Sequence, residues 1–411
     1  MFAIPLAWLQ LKRERVRLLV ALAGIGFAVI LMFLQLGFQD ALFESTITLH
    51  ENIDGDIFLI SPQSTSLISM KSFPERRLYQ SLGFSGVKSI SPIYLGFGIW
   101  KNPFWEGPPA PQTRSIMVIG TAPGDNIFSL PGFRENESKL RLLDTVVFDT
   151  ASRAEFGPIP AKFEEFQSKN SLIQTEVDNR RVEIGGLFRL GASFGADGNL
   201  IASHSTFFRI FTGREKGMID VGVIKLEPGA DVKATLERFK NLPGERKEET
   251  KQDPEKAKED FVVGDVRVLS KKAFVAFEQN YWRDSTAIGF IFTLGTAIGF
   301  IVGTVIVYQI LYTDVADHLA EYATLKAMGY KNRYLLTVVF QEAIILSIMG
   351  YIPGYLLCVG LYNLTRNATA LPLSMTLQRG VLVLCLTILM CVISGTIAVR
   401  KVQQADPADI F

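Results

Sequence analysis

The chain has 411 residues, a formal net charge of +1, 48% hydrophobic residues and three histidines. A charge this close to zero leaves no basic footprint, which sets nucleic-acid binding aside. The apolar residues are concentrated in runs rather than spread, and that moves the chain from the soluble class to the membrane-inserted one.

Residues 1–17 read as an amphipathic helix on the cytoplasmic side, with Lys12, Arg13, Arg15 and Arg17 gathered at its end. An uncharged apolar run over 18–38 follows. It is longer than a signal-peptide core and offers no A-x-A site, so it is expected as an uncleaved first span. Residues 39–286 are expected to form a large mixed α and β domain outside the cytoplasm, in two subdomains with a boundary in 150–185. Its short β-branched runs are "GDIFLISP", "SIMVIGTAP", "DTVVFDT", "RVEIGGLFRL", "NLIASH", "VGVIKLEPG" and "DVRVLSK". Gly, Pro, Asn or Asp residues end them, which is the pattern of strands. "DVKATLERFKNL" sets Val232, Leu236 and Phe239 at helical spacing behind an Asp231 cap.

Within this domain "FGIWKNPFWEGPPAP", Phe97 to Pro111, reads as a stiff aromatic loop. Trp100, Phe104 and Trp105 are its candidate contacts for a partner protein, because Trp anchors often dominate interfaces. The alternative is a loop folded onto the domain's own core. Pro243 to Asp260 reads as a solvated excursion. From Leu269 the chain turns helical. "KKAFVAFEQNYW" places Phe274, Phe277 and Tyr281 on one face of a helix expected to run unbroken into the next apolar run.

Three more spans are expected over 287–312, 335–362 and 381–399, giving four in all. Each supplies roughly the 20 apolar residues that a bilayer core demands of a helix. Gly295, Gly299 and Gly303 recur every four residues in the second, and Gly350 and Gly354 repeat the spacing in the third. Such faces let a neighbouring backbone approach closely, and the second-span face is expected to pack against another span, at a dimer interface, although the motif alone does not identify the partner. Glu342 is the one charge in the third span. It reads as a group that snorkels to the cytoplasmic interface or accepts a hydrogen bond from a neighbouring helix.

Residues 313–334 lie between the second and third spans and carry a helical pattern of their own. Ala316, Leu319, Ala323 and Ala327 form a stripe flanked by Ala320 and Met328. Glu321 and Lys326 sit at its polar rim, and Gly329 is a fitting stop. Small residues suit docking into a protein groove better than lying on lipid, which favours bulkier side chains. A short outer loop over 363–380 and a cytoplasmic tail over 400–411 complete the chain. Basic clusters before the first span, before the third and after the fourth fall on one side, and the positive-inside rule makes it the cytoplasm, with both termini there.

Cys358, Cys385 and Cys391 all lie in the last two spans, so the large domain must fold without disulfides. His50, His204 and His318 are far apart in sequence. There is no HExxH, no P-loop and no GxSxG, so no catalytic, cofactor-binding or metal-ligating residue is expected in this chain. The near absence of intramembrane charge argues against a proton-coupled pump.

"AEYATLKAMGYKNRYLLTVVFQEAIILSIMGYIPGYLL" resembles the transmembrane module of the FtsX/MacB superfamily of ABC transporter permeases. The likeness rests on an acidic residue, a "TLKAMG" core that includes Thr324, a polar turn, and a span bearing Glu and paired glycines. "LAWLQLKRERVRLLVALAGIGFAV" looks like the family's first helix and span, and "RKVQQADPADIF" like its tail. The resemblance implies a permease in the bacterial inner membrane, working as a homodimer or a heterodimer with a cognate ABC ATPase that holds ATP and magnesium. The 313–334 segment would be the coupling element on that ATPase. A periplasmic membrane-fusion adaptor and an outer-membrane TolC-like channel would carry a lipophilic substrate onward. The same resemblance leaves open a lipoprotein-release permease or an FtsX-like regulator of a cell-wall hydrolase.

Overall fold

A computed structural model describes residues 15–108, 112–240, 247–248, 259–317, Thr324, Met328, 332–369 and 371–404. The elements run in chain order as helix α1 (Arg15–Asn52) and strands β1 (Ile57–Ile60) and β2 (Phe73–Pro74), then α2 (Arg76–Gln80), β3 (Val87–Lys101) and β4 (Thr113–Thr121). Next come α3 (Phe133–Asn136), β5 (Thr145–Asp149), α4 (Ile159–Ser168), β6 (Ile173–Val177), β7 (Arg180–Phe188) and β8 (Asn199–Ser203). After α5 (His204–Ile210) come β9 (Met218–Ile219), β10 (Val221–Leu226), α6 (Val232–Lys240), β11 (Lys247–Glu248), β12 (Asp260–Val263) and β13 (Val266–Ser270). The chain then becomes helical, with α7 (Lys271–Asn280), a π-helical turn (Tyr281–Ser285), α8 (Ala287–Asp317), α9 (Asn332–Thr369) and α10 (Leu377–Gln404).

The chain divides into two units. One is Leu42–Thr286 with Thr369–Pro372; the other gathers the long helices. Among the described residues, four helices are long and apolar enough to cross a membrane, over Leu18–Asn52, Ala287–Asp317, Thr337–Arg366 and Leu377–Ala398. The expected architecture of four apolar helices with a mixed α/β domain between the first and second is therefore what the chain adopts.

All seven runs read as strands are strands. The sequence reading passed over β3, the longest, at 15 residues. Its first half pairs with β10, from Val87 to Ile93, and its second half with β4, from Tyr94 to Lys101. β3 therefore belongs to two halves of one sheet, in the order β11-β12-β13-β1-β10-β3-β4-β8-β5-β7-β6. A further pairing of β3 with β6 closes the second half into a ring of strands, which leaves that half without a free edge. The expected boundary in 150–185 falls inside this ring. The chain leaves the first half, builds the ring and returns, so no single cut separates the halves.

The sheet is apolar on both faces. In β1, Ile57 and Leu59 join one core, with Trp100, Phe148, Phe156 and Phe207; Phe58 and Ile60 join the other, with Phe128, Phe133, Phe188 and Phe274. Alternation along a strand sends successive side chains to opposite faces, which is why a strand buried on both sides reads as a continuous apolar run. Asp231 caps α6 as expected, accepting from the Lys233 amide at 2.8 Å.

One helix outruns the span expected on it, and one expectation about a helix is corrected. The helix that carries the first span does not stop at residue 38. It continues to Asn52, because Ser45, Leu49 and Ile53 keep burying one face into the α/β domain. The helix starting at Lys271 does not run unbroken into the second span. It passes into the π-helical turn, and Thr286, with φ −117° and ψ 155°, is extended before α8 begins. The solvated excursion lies outside the described residues, apart from β11 and its last two positions.

Candidate functional site

In the helical unit, α8 and α9 both approach α1 closely. Alanine, isoleucine, valine and methionine at Ile25, Ala28, Val29 and Met32 are all 0% exposed. A Cβ at Gly350 would lie 2.5 Å from Ile25, and one at Gly354 would meet Val29 at 2.8 Å and the Gly26 carbonyl at 3.1 Å. On α8, a Cβ at Gly303 would strike Ala28 at 2.7 Å and Met390 of α10 at 2.3 Å. One at Gly295 would meet the end of Gln35, and one at Gly299 would find Leu31 at an ordinary 3.5 Å. The glycines thus sit where α8 and α9 approach α1 within the same chain. The expectation that these faces meet another span is answered within the chain by α1, and a dimer interface for the second-span face stays a proposal.

Polar bonds that cross between the helices among the described residues include the following, each with a local cause. Tyr362 of α9 donates to the Phe33 carbonyl of α1, and Gly37 leaves the room its ring occupies. Ser394 donates to the Thr304 carbonyl at 2.7 Å, and Tyr351 to the Gly380 carbonyl at 3.0 Å. Arg379, in the first turn of α10, donates through Nε and Nη2 to Asp40 of α1 at 3.1 and 2.6 Å, and through Nη1 to the Ser374 carbonyl at 2.7 Å. Its guanidinium lies 5.7 Å from the Tyr362 ring centroid. Arg379 is only 6% exposed, and a buried cation needs such partners. The sequence reading missed this pair because it began the fourth span at 381 and left Arg379 in a loop. The available signal was an Asp just after the first apolar run and an Arg just before the fourth, on the same expected side.

Glu342 is 1% exposed, so the snorkelling expectation is corrected: its carboxylate is held inside the helical unit. Cys358 and Cys391 are buried and Cys385 is exposed, all as free thiols.

The 313–334 segment is described only in part. Ala316 is half-buried in the last turn of α8. The Met328 amide donates to the Thr324 carbonyl at 3.0 Å, the bond of one α-helical turn, and both residues are exposed. Leu319, Ala320, Glu321, Ala323, Lys326, Ala327 and Gly329 lie outside the described residues.

The aromatic segment is corrected in part. Phe97 to Lys101 is the end of β3, not loop. Trp100 is 0% exposed, stacks near Phe148 and Phe156, and donates its indole N–H to the Phe156 carbonyl at 3.1 Å. It is core and reaches no partner. Phe104 is half-buried against Phe166, and Trp105 is 38% exposed. No group of three or more His, Cys, Asp or Glu able to hold a metal occurs among the described residues.

Residues 290–407 match the family described as FtsX-like permease C-terminal. A macrolide export ATP-binding/permease protein, MacB, from Bdellovibrio bacteriovorus is 23% identical over 336 residues, covering 79% of this chain and 47% of that protein. The chain thus spans about half the length of that curated relative. Among solved structures, the periplasmic region of MacB from Actinobacillus actinomycetemcomitans superposes with a TM-score of 0.34 at 14% identity, covering 57% of this chain and 95% of that one. The extracellular domain of the noncanonic ABC-type transporter YknZ from Gram-positive bacteria gives 0.30 at 14% identity, covering 44% and 88%. The likeness to the FtsX-like permease family is thus carried by residues 290–407, and the likeness to MacB extends over 336 residues at low identity.

Proposed function

We propose that the chain is the permease subunit of an ABC-type exporter in the bacterial inner membrane, with ATP hydrolysis and its magnesium in a separate ATPase subunit. The observation that carries this reading is the FtsX-like module over 290–407, set behind an α/β domain that follows the first apolar helix. The 313–334 segment, with its stripe of Ala316, Leu319, Ala323 and Ala327, docks on the ATPase and takes in the force of its closure. The α/β domain, on the far side of the membrane, delivers a lipophilic substrate to a periplasmic adaptor and an outer-membrane channel. Trp105 and Phe104 remain its candidate adaptor contacts, with Trp100 removed. Within the superfamily the resemblance is to DevC, the cyanobacterial permease for heterocyst glycolipid export, so a glycolipid is the proposed cargo.

The helical unit supports transfer of force rather than a channel. Its contacts among the described residues include close glycine approaches and the Arg379–Asp40 pair, and Glu342 is buried. The test is reconstitution of the chain with its ATPase in proteoliposomes, followed by ATP turnover and lipid mass analysis of material captured by the adaptor. ATP-dependent enrichment of one lipid class is expected. Turnover with no lipid transferred, or activation of a cell-wall hydrolase instead, contradicts the exporter reading.

A further inference from the structure

Four segments of the α/β domain meet on one carboxylate. Glu278, on α7, is 1% exposed. It accepts from the Leu67 amide at 2.7 Å and from the Trp282 indole N–H at 2.8 Å. Leu67 belongs to the connection after β1, and Trp282 to the π-helical turn. His50, 0% exposed on α1, brings Nε2 to 3.6 Å from the carboxylate, with its ring 4.4 Å from that of Phe274. Phe194, from the connection before β8, packs edge-on to Trp282 at 5.1 Å. A small cavity lined by Thr46, Leu67, Ser193, Glu278 and Trp282 adjoins them, with room for about one water.

The charges around the carboxylate are few. From α1 the facing ionisable group is His50. On α7, Lys271 turns away to donate to the His50 and Glu51 carbonyls at 2.6 and 3.1 Å, and Lys272 is exposed. Arg283 and Asp284 of the turn are exposed. Residues 61–70 carry no ionisable side chain, and Asp197, before β8, is paired with Arg114 and Arg153. Burial pushes the Glu278 carboxyl up to about 7, against the pull of its two hydrogen bonds, which favour the ionised form.

We propose that Glu278 is a proton-operated latch: protonated, it holds the connection after β1 and the π-helical turn against α7, and ionised, it drives them apart to reach water. The proton released goes to bulk solvent, and no other group need change charge. The sign follows from linkage. An acid whose pKa is raised in the closed form stabilises that form fully below its ordinary value of 4.5, and loses the effect as pH rises through about 7. The π-helical turn and the extended Thr286 after it are the irregular backbone where such a change can be absorbed. This inference concerns the α/β domain alone and stands whatever the chain transports.

The test uses the full chain in lipid nanodiscs with fluorinated tryptophan. The Trp282 signal is assigned by its loss in Trp282→Phe, and amide exchange around Leu67, corrected for intrinsic rates, is followed in parallel. Between about pH 5 and pH 9 the Trp282 signal should titrate with a midpoint near 7, and opening at Leu67 should increase by roughly tenfold or more. Glu278→Gln should flatten both curves, and His50→Gln should leave a titration in place. Should Glu278→Gln fail to fold, His50→Gln and the unmodified chain still decide. A flat Trp282 signal in the unmodified chain, a titration that survives in Glu278→Gln, or one abolished by His50→Gln overturns the latch.

Discussion

Of the eleven largest fully buried side chains among the described residues, ten lie in the α/β domain and one, Phe33, lies in the helical unit. The domain fills its interior with aromatic volume and ties the buried Asp149 and Asn199 into a shared set of hydrogen bonds. The helical unit instead brings backbones together at glycines. The difference follows from the surroundings. In water, burying a large side chain is itself the driving force. In lipid, an apolar side chain gains little by leaving the tails, so close packing and interhelical polar bonds decide the association.

The sharpest way to break this contrast is within the domain, at two tryptophans five residues apart. Trp100→Ala should cost about 3–5 kcal/mol, the range for removing a buried aromatic side chain. Trp105→Ala, at a position 38% exposed, should stay within about 0.5 kcal/mol. Urea unfolding of the full chain in detergent measures both. Equal losses would mean that the segment is not divided between core and surface.

Asp149 comes next. It is 0% exposed and accepts from the amides of Ala151, Leu190 and Gly191 and from the Asn199 side chain. Asp149→Ala strands those donors and should cost about 3 kcal/mol, the upper end for buried groups left unpaired. Asp149→Asn, which keeps one acceptor oxygen, should cost less in the same assay. Equal costs would show that the donors find other partners.

In the helical unit the glycines should rank by what a side chain would strike. Gly354→Leu and Gly303→Leu push against a backbone carbonyl and a rigid alanine, and should each cost about 1–3 kcal/mol. Gly299→Leu meets only ordinary contact distances at its first carbon and should be the mildest. Thermal inactivation in detergent, read by gel filtration, ranks them. If Gly299→Leu is the most damaging, its face is covered by a second copy and not by α1.

The smallest effect is expected at Asp40→Asn. Asp40 is itself 56% exposed at its side chain, and Arg379 keeps the Ser374 carbonyl and the Tyr362 ring. A loss of about 1 kcal/mol or less is predicted, shrinking with added salt. A larger loss that salt leaves unchanged would show the pair to be fully desolvated.

How much of this was legible in the sequence differs between the two units for the same physical reason. Apolar runs of membrane length are read directly, and so are short strands closed by Gly and Pro, because each signal is local. β3 was not legible. Its Ser, Pro and Gly residues look like loop, and only the pairing of its two halves with β10 and β4 makes it a strand. Trp100 was misplaced for that reason: an alternating strand hides what a loop would show. The glycine repeats were visible, but their partner was not, since a spacing of four names a face and not what covers it. Glu278 and His50 lie hundreds of positions apart with no local pattern to announce them, whereas Arg379 and Asp40 are announced only by their places beside two apolar runs on the same expected side.

The central proposal, that force enters through the 313–334 segment from a separate ATPase, is tested most directly by ATP turnover in the reconstituted complex carrying Ala323→Trp or Lys326→Ala, with retention of the ATPase by the chain measured alongside. A bulky side chain on a stripe of small residues should overpack a fitted contact by about 1–3 kcal/mol, whereas a rim charge is worth about 0–1 kcal/mol. Ala323→Trp should therefore lose substrate-stimulated turnover and ATPase retention while Lys326→Ala keeps most of both. Full retention and stimulation with Ala323→Trp would contradict the account and leave this segment a connector at the lipid surface.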